Sequence, residues 1–423
     1  MFFTGQYNSV QVGHIRKEGC PLETRTLFMI GNGFDLAHGL RTSYMDFFNY
    51  LRELQSSSSP ANDLIPTHYF DNQTAYQLVV APASFSITTI LHLDDQHCEN
   101  VWHSYFKYIV TKRHTVGSWI DFEKEIEKLV KNMLLPLDHS GPYIDDYITR
   151  FKRLMHCESS FENYPNKDQL NKMARDLRTT NDPDIAERLR QKIARFLYEE
   201  LLRYAFCFEL YLRFIVPIFG PSPDYPNKPL AKLFEQKSQD NQSFLLSFNY
   251  TSTVHDLYDP LLPAHYIHGR LRTKEYLQQN MLYPECQLST PLVLGFHKRQ
   301  IEQDNIATPF LFFEKFYQRI LHHTDTDVYK WLDDIHNGVA LETIIYGHSL
   351  DITDEDFIRL IFNKSKIVKI YYHTEDVLPS LLLNLVSIFG REGVDRSHAK
   401  GELEFISAET LKSKKQEPKY AIK

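Results

Sequence analysis

Paired cysteines are missing from this chain. The five it has, Cys20, Cys98, Cys157, Cys207 and Cys286, are odd in number, scattered, and nowhere spaced C-x-x-C. That argues against both a disulfide scaffold and a thiolate zinc site, and it suits a reducing cytosol. An excess of positive charge is missing too. With 47 Lys and Arg against 54 Asp and Glu the net charge is -7, so the average surface repels nucleic acid and anionic lipid, and neither is expected as a partner. Long apolar runs are also scarce. The best membrane candidate, Ala205 to Phe219, is broken by Glu209, Arg213 and Pro217 and is shorter than the ~20 apolar residues a span needs, so it reads as a buried core helix. Residues 1–25 hold no sustained apolar segment and no small-residue cleavage site, which argues against a secretory signal and for a cytoplasmic protein. No internal repeat is visible.

Core-forming material is plentiful. The chain of 423 residues is 43% hydrophobic and carries 25 Tyr and 29 Phe, ample for one core plus a large insertion. Short, β-branched or aromatic runs at 26–31, 243–249, 265–269, 291–296, 343–349 and 367–373 read as strands buried on both faces of a mostly parallel sheet. Helical stretches lie between several of them, which predicts a Rossmann-like α/β fold with helices on both faces. Between the first and second runs the chain looks helical. Trp119, Phe122, Ile126, Leu129, Val130 and Met133 keep to one stripe, and a long helix follows from Asp184. Loops are expected at 56–60, 136–142 and 220–229. The expected organisation is an N-terminal tail (1–25), a discontinuous core (26–99 and 236–410), a helical insertion (100–235) and a basic tail (411–423).

Chemistry is first suggested by the turn after the first strand, where Gly31, Asn32, Gly33, Phe34 and Asp35 open a helix. Two glycines let the backbone turn sharply and approach a ligand, and helix amides then favour a phosphate. The dinucleotide fingerprint would want a third glycine where Leu36 stands, and Asp35 adds negative charge. The plain alternative is a strand-to-helix turn with Asp35 as dipole partner. Gly39 then breaks the helix and Ser43 with Asp46 makes a capping box, so the loop from Gly39 to Ser43, with Thr42, is expected to lie over the turn as a lid.

Three further strands end in polar residues. Asn249 could hold ribose hydroxyls or a water, His268 beside Gly269 could act as a base, and Gly347 with Ser349 could contact phosphate or ribose. Each has a structural alternative: an Asx-turn at Asn249, a satisfied buried imidazole at His268, a helix cap at Asp354 and Asp356. Their shared position at carboxyl ends of strands, where open α/β sheets bind ligands, favours a site. Other readings are weaker. "GHSLD" resembles a nucleophile elbow at Ser349 without its last glycine, with Asp354 or Asp376 and then His398 in the right order. The histidines lack the spacing of a metalloprotease, and no metal is expected.

"LFMIGNGFDLAHGLRTSYMDF", "LSFNYTSTV", "YIHG" and "IIYGHSLDITDED", in that order, resemble the AbiH family of bacterial phage abortive-infection proteins. More distantly the chain is similar to sirtuin-like NAD-binding domains. That resemblance implies NAD as ligand or substrate, with Gly31 and Gly33 at the phosphate turn, Asn249 on ribose or water, His268 as base, and Gly347 and Ser349 as late contacts. Thr251 stands where those domains often carry aspartate, and the four zinc cysteines of the deacetylases are absent. Together these imply an anti-phage effector that binds NAD or a related nucleotide and hydrolyses its N-glycosidic bond. Glu123 either closes the pocket from the insertion or sits solvated on its helix. The alternatives are a nucleotide-sensing module acting through a partner, and a serine hydrolase using Ser349. A phage-encoded trigger and self-association are compatible with the resemblance.

Overall fold

A computed structural model describes residues 24–56, 81–93, 99–113, 122–134, 180, 182–220, 234, 243–281, 290–296, 310–324, 326–333, 335 and 339–411. Most of the expected loops, Trp119, and residues 1–23 and 412–423 of the two expected tails lie outside these residues, while Thr24 and Arg25, expected in the first tail, belong to the first strand. Six strands form one parallel sheet: β1 Thr24–Ile30, β2 Ser243–Ser247, β3 Ala264–Tyr266, β4 Ala340–Tyr346, β5 Ile367–Tyr372 and β6 Leu403–Ser407. Their order is β3-β2-β1-β4-β5-β6, which is the Rossmann order, with the direction of winding reversing between β1 and β4. Every neighbouring pair is parallel.

The central strands are apolar on both faces because both faces are covered. Leu27 and Met29 of β1 join Phe244, Leu246, Leu341 and Ile345 in one core. Phe28 and Ile30 join Leu245, Ile344 and Tyr346 in another on the opposite face. This alternation is the period-2 geometry of a strand, applied to a run with no polar face.

A third core is helical. It draws on α2 (Tyr44–Ser56), α3 (Ala81–Leu91), α4 (Val101–Arg113), α5 (Phe122–Leu134) and α6 (Pro183–Leu210). The expected stripe of Phe122, Ile126, Leu129 and Val130 is buried in it. Among the described residues between 100 and 235 no strand occurs. The helical body reaches back beyond residue 100, however, because Phe47, Phe48 and Leu51 of α2 and Ile87 of α3 pack in the same cluster. Pro183 opens α6 behind the Asp182 cap, whose carboxylate accepts from the Asp184 and Ile185 amides. The helix continues through a π turn at Tyr211–Ile215 into α7 (Val216–Phe219). Glu209, fully buried at the end of α6, accepts from Arg272 Nε and Nη2 and from the Thr290 hydroxyl.

Two expectations about strands are corrected. The run 291–296 is buried but not in the sheet. Its Val293 amide goes to the His268 carbonyl at 2.8 Å, and the Gln318 side chain takes both the Leu294 amide (2.8 Å) and carbonyl (2.9 Å) as a neighbouring strand would. Conversely β6, at the sheet edge and half-buried, went unforeseen. Among the described residues no single helix is long and apolar enough to cross a membrane. The segments Glu375–Phe389 and Arg391–Ala399 would do so only as a pair bent by 110°, and the first buries Leu381, Leu385 and Ile388 in the core beneath the sheet.

Candidate functional site

The glycine turn after β1 opens α1 (Asn32–Ala37), and it is packed against the turn after β4. A Cβ on Gly31 would lie 2.7 Å from the His348 Cα, and one on Gly33 would lie 2.8 Å from the Gly347 Cα. Gly347, at φ +67, could carry no side chain without meeting the Phe34 amide nitrogen at 2.1 Å. The glycines thus let two backbones touch across the switch point. Their amides are engaged as well: Gly31 donates to the Tyr346 carbonyl at 3.1 Å, Gly33 to the Gly347 carbonyl at 2.8 Å, and Phe34 to the Gly31 carbonyl at 2.9 Å. The Phe34 ring is fully buried among Phe234, Tyr258 and Tyr346, so its side chain is structural rather than a ligand contact. Gly39, at φ +75, follows the helix as expected. The Ser43 and Asp46 capping box forms in both directions. Thr42 ties the loop between them to the turn by donating to the Asn32 side-chain oxygen at 2.6 Å.

Beside that turn sits a buried polar cluster. Asp35, 1% exposed, accepts through Oδ2 from the Thr251 hydroxyl at 2.5 Å, and Thr253 in turn donates to Thr251 at 3.1 Å. Burial pushes the Asp35 carboxyl up to about 6, against the hydroxyls of Thr251 and Thr253 and the nearby Asn249 amide, which favour its charged form. Asn249 is 4% exposed. Among the described residues, Asp35 Oδ1 and both polar side-chain atoms of Asn249 find no hydrogen-bond partner. Three such atoms in one place mark a ligand or water position, because a buried polar group left unpaired costs about 1–3 kcal/mol.

A second cluster is built around Asp354. Its Oδ1 accepts from His268 Nε2 at 3.0 Å and from Lys315 Nζ at 3.0 Å. Lys315, only 1% exposed, opens α10 (Lys315–His322) and also pairs with Glu123 Oε2 of α5 at 2.8 Å. His348 Nδ1 accepts from the Leu350 amide at 2.9 Å, which puts its proton on Nε2, facing Asp354 Oδ2 at 3.7 Å. Leu350 itself is buried at φ +55, an uncommon conformation for a branched side chain and one that clusters at functional sites.

Charge states follow from these contacts. Burial would raise Asp354, but Lys315 and His268 hold its carboxyl well below the usual range. Burial would lower Lys315, but Asp354 and Glu123 keep the ammonium charged. Burial and the Lys315 cation depress His268 despite Asp354, and burial brings His348 down to about 4. Both imidazoles are therefore neutral near pH 7. With its Nε2 proton held by Asp354, His268 presents Nδ1 as a lone pair. The ring is flanked by Phe248, edge-on at 5.4 Å, and by Tyr250 at 6.3 Å, so Asn249 lies between two residues that touch the histidine. Tyr44 and Tyr250, hydroxyls 2.8 Å apart, wall the same side, and Tyr250 donates to the Val293 carbonyl. Gly269, at φ +84, closes the turn after His268, where a Cβ would meet the Pro291 oxygen at 2.0 Å.

A family model for bacteriophage abortive infection AbiH matches residues 27–373. The chain belongs to the AbiH family. Membership implies a role in phage abortive infection. The AbiH match runs from the core of β1 to the end of β5 and contains every member of both clusters. No match is found among curated proteins or among solved structures.

Of the residues expected at the AbiH site, Asp35 with Asn249 and His268 with Asp354 are brought together. Gly31, Gly33 and Gly347 form the floor. Ser349 is exposed, and its carbonyl accepts from Asn384 at 2.9 Å. His398 is engaged elsewhere, with the Leu403 carbonyl at 3.0 Å, and Asp376 is exposed on a 3-10 turn, so the hydrolase triad does not assemble. Asp354 does not cap α12 (Glu355–Lys364); its carboxylate faces inward instead. Asp351 caps the preceding turn through the Thr353 amide. Lys315 and His348 were not foreseen. The only sequence signal for His348 is its place between Gly347 and Ser349, and nothing marks Lys315.

Proposed function

We propose that this protein acts in abortive infection by hydrolysing the N-glycosidic bond of NAD or a related nucleotide in a sirtuin-like Rossmann core. The observation that carries the reading is the neutral His268, fixed through Nε2 to Asp354 and flanked by the rings of Phe248 and Tyr250, the residues on either side of Asn249 in the chain. In the reaction the bond from the ribose anomeric carbon to the nicotinamide nitrogen breaks, and the electron pair leaves with the base, which becomes neutral. A water oxygen bonds to the anomeric carbon, and its proton passes to His268 Nδ1. Asn249 orients the ribose or that water. The Asp354 carboxylate supports the imidazolium that forms.

Electrostatics favour the same chemistry. Lys315 carries one positive charge against the two carboxylates of Glu123 and Asp354, leaving one net negative charge beside the histidine. A fixed negative charge stabilises an oxocarbenium-like ribose in a water-poor site. The test is to incubate pure protein with NAD and follow free nicotinamide. Asn249→Ala and His268→Ala should each cut its release by ~10²-fold or more, as expected for lost positioning and lost proton transfer. Nucleotide affinity should fall far less. A wild-type protein that binds NAD and releases no nicotinamide is not a hydrolase.

One observation supports a second reading, a sensing module. The start of α5 is linked to the segment after β4 directly, by Lys124 to Asp351 at 2.9 Å, and through α10, whose Lys315 pairs with both Glu123 and Asp354. A nucleotide bound at the sheet would be felt in the helical body through these pairs without turnover.

A further inference from the structure

The glycine turn has been read as a phosphate cradle, and its chemistry argues otherwise. Of the four backbone amides from Gly31 to Phe34, three already donate within the protein, to Tyr346, Gly347 and Gly31. The helix behind them has six residues. The charged group adjoining the turn is a carboxylate, Asp35, which repels an anion. The atoms left unsatisfied are two acceptors, Asp35 Oδ1 and Asn249 Oδ1, and one donor, Asn249 Nδ2. A phosphate can only accept, so it would satisfy one of the three and clash electrostatically with another. A cation would satisfy the acceptors and strand the donor, and among the described residues no group of His, Cys, Asp and Glu is arranged to hold a metal. Two adjacent hydroxyls fit all three atoms, since each donates to one acceptor and either accepts from Nδ2.

We infer that Asp35 and Asn249 form a subsite for the cis-diol of a ribose, so that sugar rather than pyrophosphate lies against the glycine turn. This rests on the nucleotide reading above and deepens it. Thr251 and Thr253 brace the other carboxylate oxygen and so aim Oδ1. They also account for an acidic group arriving from α1 where the β2 loop itself offers threonine.

The test is calorimetry of the full chain with ADP-ribose and with the analogue lacking both hydroxyls of the terminal ribose. A site built to hydrogen-bond hydroxyls rejects a ligand without them, so the analogue should bind at least ~10-fold more weakly. Asp35→Asn should bind both with similar affinity. Should that variant fail to fold, Asn249→Ala gives the same comparison. Equal binding of the two ligands by wild type overturns the subsite. So does an absence of ADP-ribose binding, or displacement of ADP-ribose by nicotinamide alone or by inorganic pyrophosphate alone at comparable concentration. Nicotinamide release is a separate readout: a diol preference without NAD cleavage keeps the subsite and removes the hydrolase, and cleavage without the preference does the reverse.

Discussion

Asp35 is a residue whose folded environment works against its charge. Its carboxyl rises from 3.8 to about 6 because it is buried, with Asp256 adding to the rise and Thr251, Thr253 and Asn249 opposing it. An acid with a raised folded pKa binds protons more tightly in the native state than in the unfolded one. Stability therefore falls as pH climbs from about 4 to about 6 and stays lower above that. Asp35→Asn removes the penalty while keeping the shape. Thermal melts should show the variant more stable than wild type at pH 7.5, by about 3 kcal/mol at most, with the gap closing by pH 4. Wild type and variant with equal stability at both pH values would mean the carboxylate is already satisfied. Among the site residues, those legible in the sequence were polar groups ending apolar runs, because nothing in a buried strand end requires Asn249, His268 or Asp354 to be polar. Lys315 was hidden for the opposite reason: one lysine among many, its burial set by partners from two distant segments.

At the scale of elements, legibility followed hydrophobic period. Strands at 24–30, 243–247, 340–346 and 367–372 and the α5 stripe stand out because apolar side chains dominate what each buries, Thr26, Ser243, Ser247, Glu342 and Thr343 being the buried polar exceptions. The run 291–296 is equally apolar, yet its backbone partners are a loop and the Gln318 side chain, which no periodicity reveals. Helix α10 misleads more deeply. It turns Phe316, Ile320 and Leu321 outward and buries Lys315, Gln318 and Arg319, so a reader of its amphipathic pattern would rotate it the wrong way. The glycine turn shows what a motif leaves undetermined. Its glycines are required, but by the turn after β4 as much as by any ligand. Gly33→Ala would press a methyl group against the Gly347 backbone. Neither side can yield cheaply, so overpacking should cost about 1–3 kcal/mol, seen as a lower melting temperature in the absence of any nucleotide. An unchanged melting temperature would show the two turns free to part.

In the whole molecule, the sheet supplies the carboxylate subsite and the histidine, and the helical body supplies Glu123. The two are joined at Lys315, which touches one anion from each. Glu123 thereby brings the helical body against Lys315, Asp354 and His268, all nearly fully buried, where one negative charge counts for more than it would in water. On the hydrolase reading proposed above, abortive infection works through loss of a metabolite from the whole cell, and that is where the hydrolase and sensing readings separate. In bacteria carrying the wild-type gene, phage challenge should lower cellular NAD before lysis and reduce the yield of phage. His268→Ala and Asn249→Ala, expressed at the same level, should leave NAD unchanged and phage yield undiminished, because each removes a step of turnover while the cores of the sheet and helical body stay intact. Glu123→Gln tests the contact from the helical body. It keeps a hydrogen-bond acceptor for Lys315 but removes one negative charge, so NAD loss should be slower than wild type and faster than in the histidine variant. Protection that persists in both the His268 and Asn249 variants with NAD constant throughout would exclude hydrolysis as the effector step and leave the Lys315 link to the helical body as the working part.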